Sequence, residues 1–140
     1  MFYLVKPPVC GEFGPQTVWD PYTIPPTFKF VHYVFDGWPQ DLTTSTPVFL
    51  ANLKLVNALL EHNCSGFSTE ECLVSKSEYF HSEEFPEDQE LPTFVRLLVQ
   101  GSPQIDDLGT KNRRLIVSEK AKRIIESFRC PSVVFEPLND

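Results

Sequence analysis

The chain has 140 residues and a formal net charge of −7, and 41% of its residues are hydrophobic. This length is enough for a single domain, residues 1–140, with a core that needs no metal ion or disulfide to hold it together. The acidic balance excludes the basic surface of a nucleic-acid-binding protein, so we expect no nucleic acid among its direct partners.

The N-terminal part of the chain predicts two strands separated by a long loop. Residues 2–5 are a short run with high β-propensity. Residues 7–26 hold many prolines but few periodic apolar residues, and we interpret them as an ordered loop. Residues 29–35 are dense in aromatic and β-branched side chains and end at Asp36-Gly37, which predicts a strand followed by a turn.

A strand that runs into a helix is predicted in the middle of the chain. Residues 47–51 are apolar, and Asn52 is a candidate N-cap for a helix that Gly66 ends. Residues 67–74 mix apolar and polar side chains, as a partly exposed strand does. The apolar residues of the helix stand at helical spacing, at Leu55, Val56, Leu59 and Leu60.

The next segment is mostly polar. Residues 75–80 predict a short helix, and the acidic, proline-bounded stretch 86–92 predicts a loop. Residues 93–99 predict a strand because they are rich in β-branched and aromatic side chains. The polar residues that follow, through Gly109, predict another loop.

The C-terminal part again predicts a strand, a helix and a strand. Residues 114–117 form an apolar run, Ser118 is the candidate N-cap, and residues 132–135 predict the last strand. The apolar face of the helix consists of Ala121, Ile124, Ile125 and Phe128.

A shift of 66 residues aligns these two strand-helix-strand units. Residues 47–74 then resemble residues 113–138, with Asn52 lying on Ser118. This alignment predicts a pseudo-repeat, although two such units can also align by chance. In either case we expect an α+β fold with a mixed or antiparallel sheet and two main helices.

Membrane and metal sites are not indicated. No apolar run approaches the roughly 18 residues of a transmembrane helix, and Lys6 interrupts the apolar start too early for a signal peptide. We therefore expect a cytoplasmic protein without membrane contact. The four cysteines, at positions 10, 64, 72 and 130, lack zinc-site or C-x-x-C spacing, so we expect reduced thiols, no metal and no cofactor.

Catalytic motifs are equally absent from the sequence. His32, His62 and His81 have no neighbours at the spacing of a known triad or metal signature, and no glycine-rich phosphate loop is present. Asp106 and Asp107 are adjacent, so on a strand their side chains point to opposite faces, and adjacency alone makes no acid-base dyad. We nevertheless include both among the candidate partner-binding acids.

Charge distribution points to a protein partner. A cluster of acids without an intervening base occurs at Glu83, Glu84, Glu87, Asp88 and Glu90. An acidic, proline-stiffened loop suits a basic protein surface, because complementary potentials raise the encounter rate. A loop that only improves solubility would show the same charges.

The sequence 35–39, Phe-Asp-Gly-Trp-Pro, supplies two further candidates, Asp36 and Trp38. Tryptophan beside a turn is either a lid on the core or an exposed anchor, and tryptophan is enriched in interface hot spots. We take both residues as candidate partner contacts.

Four stretches resemble a known group of proteins. They are His-Tyr-Val-Phe-Asp-Gly-Trp at 32–38, Val-Ser-Lys-Ser-Glu-Tyr-Phe at 74–80, Glu-Leu-Pro-Thr-Phe at 90–94 and Arg-Leu-Ile-Val-Ser-Glu-Lys-Ala at 114–121. In this order they resemble immunity proteins of bacterial polymorphic toxin systems. The end of the chain, from Val-Ser-Glu to a final Val-x-Phe-x-Pro strand, is similar to the C-terminal part of the myxobacterial-type immunity family.

The resemblance implies a role in interbacterial competition. Such a protein binds a cognate toxin effector, usually encoded next to it, and neutralises it in a stoichiometric complex that blocks the toxin's active site. It catalyses no reaction. We expect a monomer or small oligomer.

Two other functions stay open from the residues alone. One is a non-enzymatic adaptor with an unrelated partner, which would share every compositional feature. The other is a small enzyme whose site combines distant residues, with His32, His81, Asp36 or the Asp106-Asp107 pair as candidates.

Overall fold

In a computed structural model, the described parts of the chain, residues 1–24 and 27–138, contain two helices and thirteen strands. The predicted α+β class is confirmed. The helices are α1 (Leu53–Glu61) and α2 (Glu119–Glu126). The strands are β1 (Phe2–Lys6), β2 (Gly11–Phe13), β3 (Val18–Asp20), β4 (Thr27–Phe30), β5 (His32–Phe35), β6 (Leu42–Ser45), β7 (Val48–Asn52), β8 (Phe67–Glu71), β9 (Leu73–Lys76), β10 (Phe94–Val99), β11 (Leu108–Lys111), β12 (Arg114–Ser118) and β13 (Val134–Pro137).

Two four-stranded antiparallel sheets share one topology. The first sheet has the order β6-β7-β10-β8 and the second the order β11-β12-β1-β13. In each, a hairpin leads into a helix and then an outer strand, and a strand from elsewhere in the chain lies between. We call β6-β7-α1-β8 the first unit and β11-β12-α2-β13 the second unit. A shift of 66 residues places the hairpin and helix starts of one unit on those of the other.

Both helices begin at the predicted caps. The side chain of Asn52 accepts a hydrogen bond from the Lys54 amide, and that of Ser118 accepts one from the Ala121 amide. Helix α1 ends at Glu61, earlier than Gly66, because Asn63 adopts a φ of 56° and the Cys64 amide donates back to the Leu59 carbonyl. Asparagine tolerates this left-handed conformation, which closes the helix with a Schellman pattern.

The main core lies between the helices and the inner faces of both sheets. One buried cluster joins Leu55 and Leu59 of α1 with Ile125 of α2, and both units contribute to it. Leu60, which the sequence placed on the apolar face, is 54% exposed instead. The helical period therefore identified the buried face of α1 but wrongly included Leu60 in it.

A third sheet, β2-β5-β9, forms the other core. Strands β2 and β5 are antiparallel, whereas β5 and β9 are parallel. Its aromatic residues Tyr33 and Phe35 form a buried cluster with Val48 and Leu50 on the outer face of the first sheet. Strand β7 is consequently buried on both faces.

Several predicted loops contain strands. The loop predicted at 7–26 was wrong, because β2 and β3 lie within this segment. Strand β6 went unrecognised because two of its residues are threonines; Thr43 and Thr44 are buried and donate their hydroxyls to the Pro8 and Val48 carbonyls. Such pairing lets polar residues occupy a strand interior.

Other predicted boundaries shift. The loop predicted to extend through Gly109 ends earlier, because β11 begins at Leu108. The strand predicted at 29–35 is divided into β4 and β5, which belong to different sheets, and the strand predicted at 67–74 is divided into β8 and β9. The last strand begins two residues later than predicted.

The short helix predicted at 75–80 was wrong. Ser75 and Lys76 belong to β9, which pairs in parallel with β5. The Ser75 hydroxyl also lies 2.8 Å from His32 Nε2. Tertiary pairing overrides the local preference here, because so short a segment cannot make a stable helix alone.

Among residues 1–24 and 27–138, neither helix has the length and apolarity to cross a membrane.

Candidate partner-binding surface

Residues 82–90, which we call the acidic segment, have no helix or strand but are held against the fold. The Phe85 ring stacks on Trp38 with centroids 4.6 Å apart. The Arg129 guanidinium lies 5.2 Å from the centroid of the same ring. Phe85 is therefore clamped between an indole and a cation, both favourable partners for its ring.

Arg129 ties the clamp to the rest of the molecule. Its guanidinium donates to the Glu84 carboxylate at 2.6 Å and to the Pro39 carbonyl at 3.1 Å. Its backbone amide donates to Asp41 at 2.8 Å. One arginine thus fixes the start of the acidic segment to the end of α2.

The far end of the acidic segment is fixed as well. Lys76 of β9 donates through Nζ to the backbone carbonyls of Glu87 and Gln89. His81 Nδ1 lies 2.7 Å from a carboxylate oxygen of Glu87, in an exposed pair. Exposed pairs contribute little to stability, so the lysine contacts are the main restraint.

The remaining acids are free to meet a partner. Glu83, Asp88 and Glu90 are exposed, and within the described residues their side chains form no ion pair or hydrogen bond. The sequence proposed Glu83, Glu84, Glu87 and Asp88 as contacts; the structure divides them into paired acids that hold the segment and unpaired acids that it presents.

Asp36 and Trp38 lie beside this segment. The Asp36 side chain is exposed, and its carbonyl accepts a hydrogen bond from the His81 amide. Trp38 is half-buried and its ring packs on Phe85. Trp38 therefore supports the acidic segment, a role intermediate between a lid on the core and an exposed anchor.

Asp106 and Asp107 lie elsewhere and bond within the fold. Asp106 accepts a hydrogen bond from the Ser102 amide at 2.8 Å. Asp107 accepts one from the Ser118 hydroxyl at 2.6 Å and one from the Ser65 amide at 3.0 Å. These contacts occupy the carboxylates, so we do not include either residue in the candidate surface.

Hydrogen bonding and charge also shift the pKa of Asp107. Partial burial raises this pKa, but the Ser118 and Ser65 hydrogen bonds and the Lys120 cation outweigh that effect, and the net pKa lies below its usual value. The carboxylate is thus held in its charged form.

The histidines proposed for an enzyme site are engaged in separate contacts. His32 is buried in β5, where Nε2 meets the Ser75 hydroxyl and Nδ1 accepts from the Gln16 amide. His81 pairs with Glu87. Within the part of the chain that the structure describes, no three His, Cys, Asp or Glu side chains could together hold a metal ion.

Burial raises the pKa values of three cysteine thiols. Desolvation raises the pKa of Cys72 and of Cys130 to about 11, and it raises the pKa of Cys64 too. All four are free thiols. Raised pKa values keep these three sulfurs as unreactive thiols at neutral pH.

An exposed apolar hairpin was not predicted from the sequence. Strands β3 and β4 form a two-stranded sheet of their own, with Trp19 half-exposed and Tyr22 and Ile24 exposed by 93% and 95%. Large apolar side chains so exposed are typical of interaction sites. A strand prediction based on the pair Val18-Trp19 would have revealed it, but the surrounding prolines and threonines obscured the pattern.

Comparisons with protein-family models, with curated proteins and with solved structures gave no match.

Proposed function

We propose that this protein is an immunity protein that binds a cognate bacterial toxin in the cytoplasm of the producing cell. It neutralises the toxin as a stoichiometric partner that blocks the active site, without catalysing a reaction. The observation that carries the proposal is the acidic segment, which is fixed by Arg129, Trp38 and Lys76 while Glu83 and Asp88 stay unpaired. The resemblance to immunity proteins supports it.

A fixed acidic surface suits rapid, tight inhibition. Complementary potentials accelerate the encounter with a basic surface, and this acceleration depends on salt. Because the segment is already ordered, less conformational entropy is lost on binding than for a mobile loop. The clamp around Phe85 therefore has a functional consequence as well as a structural one.

The proposal is tested by co-expression with the product of the gene immediately upstream. We expect growth rescue and co-purification of a complex of fixed stoichiometry. Rescue without a complex would point to another mechanism, and a complex with a non-toxic neighbour would favour the adaptor function. The absence of both rescue and a complex would contradict the proposal.

Charge-reversal variants locate the contact. The double variant Glu83→Lys/Asp88→Lys removes only unpaired acids, so we expect an unchanged fold and toxin association slowed about tenfold or more at low salt. Its control, Glu61→Lys/Glu71→Lys, changes the net charge equally at exposed acids outside the segment. Equal effects of both variants on the association rate would show that net charge, and not this segment, guides binding.

A further inference from the structure

The turn between β11 and β12 has an unfavourable sequence for its shape. Lys111 pairs with Arg114, which leaves the two-residue loop Asn112-Arg113 with φ values of 54° and 65°. A turn with two positive φ angles favours glycine at its second position, yet this chain has arginine there. A backbone conformation that disfavours the residue occupying it often marks a functional site.

The cations of this turn lack partners. The side chains of Lys111, Arg113 and Arg114 are exposed, and within the described residues they form no ion pair or hydrogen bond. Lys111 and Arg114 face each other across the hairpin, where like charges destabilise a strand pair. An anion bound at the turn would relieve this repulsion.

Arg113 lies at the rim of a groove with aromatic walls, which we call the aromatic groove. The rings of Phe13 and Phe28 stack with centroids 4.9 Å apart, and Trp19 stacks on Phe28 at 6.0 Å. The other lining residues are Gly14, Pro15, Thr17, Thr46 and Pro47. The cavity has a volume of about 590 Å³.

Size and lining favour a small molecule. Sites for such ligands have volumes of roughly 300–1,000 Å³, with mostly apolar walls and a few polar groups that set orientation. Here the walls are aromatic, and Arg113 and Thr46 supply the polar side chains, because the Thr17 hydroxyl is already bonded to the backbone of His32. A flat ring stacks well on an exposed indole, and a guanidinium pairs well with phosphate or carboxylate.

We propose that the aromatic groove binds a small planar aromatic anion, with the ring against Trp19 and the anionic group at Arg113. Lys111 and Arg114 contribute to the potential that attracts the anion. A nucleotide phosphate and an aromatic carboxylate share this chemistry. The site is separate from the acidic segment and does not depend on the proposed toxin inhibition.

The test uses the two tryptophans of the chain as internal reporters. Adenosine 5′-monophosphate and phenylacetate are titrated separately into the ¹⁵N-labelled protein, and the indole N–H signals of Trp19 and Trp38 are followed by NMR. We expect a saturable shift of the Trp19 signal and of the Arg113 amide, while the Trp38 signal stays in place. Saturation by one ligand only identifies the anionic group that the groove prefers.

Variants separate binding from folding. Arg113→Gly fits the positive φ better than arginine, so we expect an unchanged or higher Tm together with affinity weakened about tenfold or more by the loss of a charged hydrogen-bond donor. Arg123→Ala, at an exposed arginine of α2, removes the same charge and keeps the affinity.

Three results would overturn the proposal. The first is no saturable shift with either ligand at millimolar concentration. The second is equal weakening by Arg113→Gly and Arg123→Ala, which would indicate a general effect of charge. The third is a shift of the Trp19 signal by a toxin polypeptide but by neither small ligand, which would make the groove a protein contact.

Discussion

The two units have the same elements in the same order, yet the outer faces of their sheets differ. In the first sheet that face bears Val48 and Leu50 of the first unit and Phe94 of β10, which pack into a buried cluster with the third sheet. In the second unit Arg114 and Ile116 stand at the positions equivalent to Val48 and Leu50. Arg114 is exposed, whereas Ile116 is 3% exposed but belongs to neither buried cluster.

The difference shows what the repeated skeleton requires. Both units bury their inner faces against the helices, so that face is apolar in each. The residues of the outer face depend on what packs over that face, and an aromatic sheet packs over it in the first unit only. The same comparison applies to the turns, since Thr46-Pro47 of the first unit is replaced by the cationic Asn112-Arg113 in the second.

The largest expected effect concerns these outer faces. Leu50→Ala should lower the free energy of unfolding by about 4 kcal/mol, because it leaves a cavity among the rings of the second core. Ile116→Ala should cost about 2 kcal/mol, since fewer buried neighbours surround the lost atoms. Urea denaturation of both variants measures the difference, and equal losses would show that the second face is packed as tightly as the first.

A second prediction concerns two equivalent hydrogen bonds that link the units. Asp41 accepts from the Arg129 amide after α2, and Asp107 accepts from the Ser65 amide after α1. Each unit thus holds the segment that follows the other unit's helix. Asp41→Ala and Asp107→Ala should each destabilise by about 1–3 kcal/mol, because hydrogen bonds to a charged acceptor are lost. Chemical denaturation checks this, and a loss confined to one variant would refute the reciprocity.

The same contact predicts a dependence on pH. The pKa of Asp107 is lower in the folded chain than its ordinary value of 3.8, so its carboxylate stabilises the fold at neutral pH. This contribution is lost as the pH falls from that value through the lowered folded pKa. The stability difference between the natural chain and Asp107→Asn should therefore shrink in acid; a constant difference from neutral pH to pH 2 would contradict it.

A smaller effect is expected at the turns. Arg113→Gly should raise the free energy of unfolding by about 0.5–1 kcal/mol, because glycine adopts a positive φ without a steric penalty. Asn112→Gly should gain less, since asparagine already tolerates this conformation. Thermal denaturation distinguishes the two, and destabilisation by Arg113→Gly would mean that the guanidinium has a structural contact.

The smallest expected effect is on reactivity of the cysteines at equivalent positions, Cys64 and Cys130. Burial raises both pKa values, that of Cys130 to about 11, so the thiolate fraction at pH 8 is small. Iodoacetamide should modify both slowly in the folded protein and rapidly in denaturant, as measured by mass spectrometry. Fast modification of Cys130 alone would show that the end of α2 opens more readily than the end of α1.

Local patterns determined the repeated parts of this protein. Helical spacing and two polar caps located α1 and α2, and apolar runs located the strands that precede them, because these signals depend on neighbours within one or two turns. The clustering of acids at 83–90 was visible for the same reason.

Only the tertiary structure decided which residues can act. The strands β6 and β11 exist because they pair with β7 and β12, and their polar residues gave no local signal. Arg129 holds the acidic segment across 45 residues of sequence. The aromatic groove unites β2, β4 and the turn at Arg113. Contacts between distant residues depend on how the sheets stack, and no periodicity along the chain encodes that.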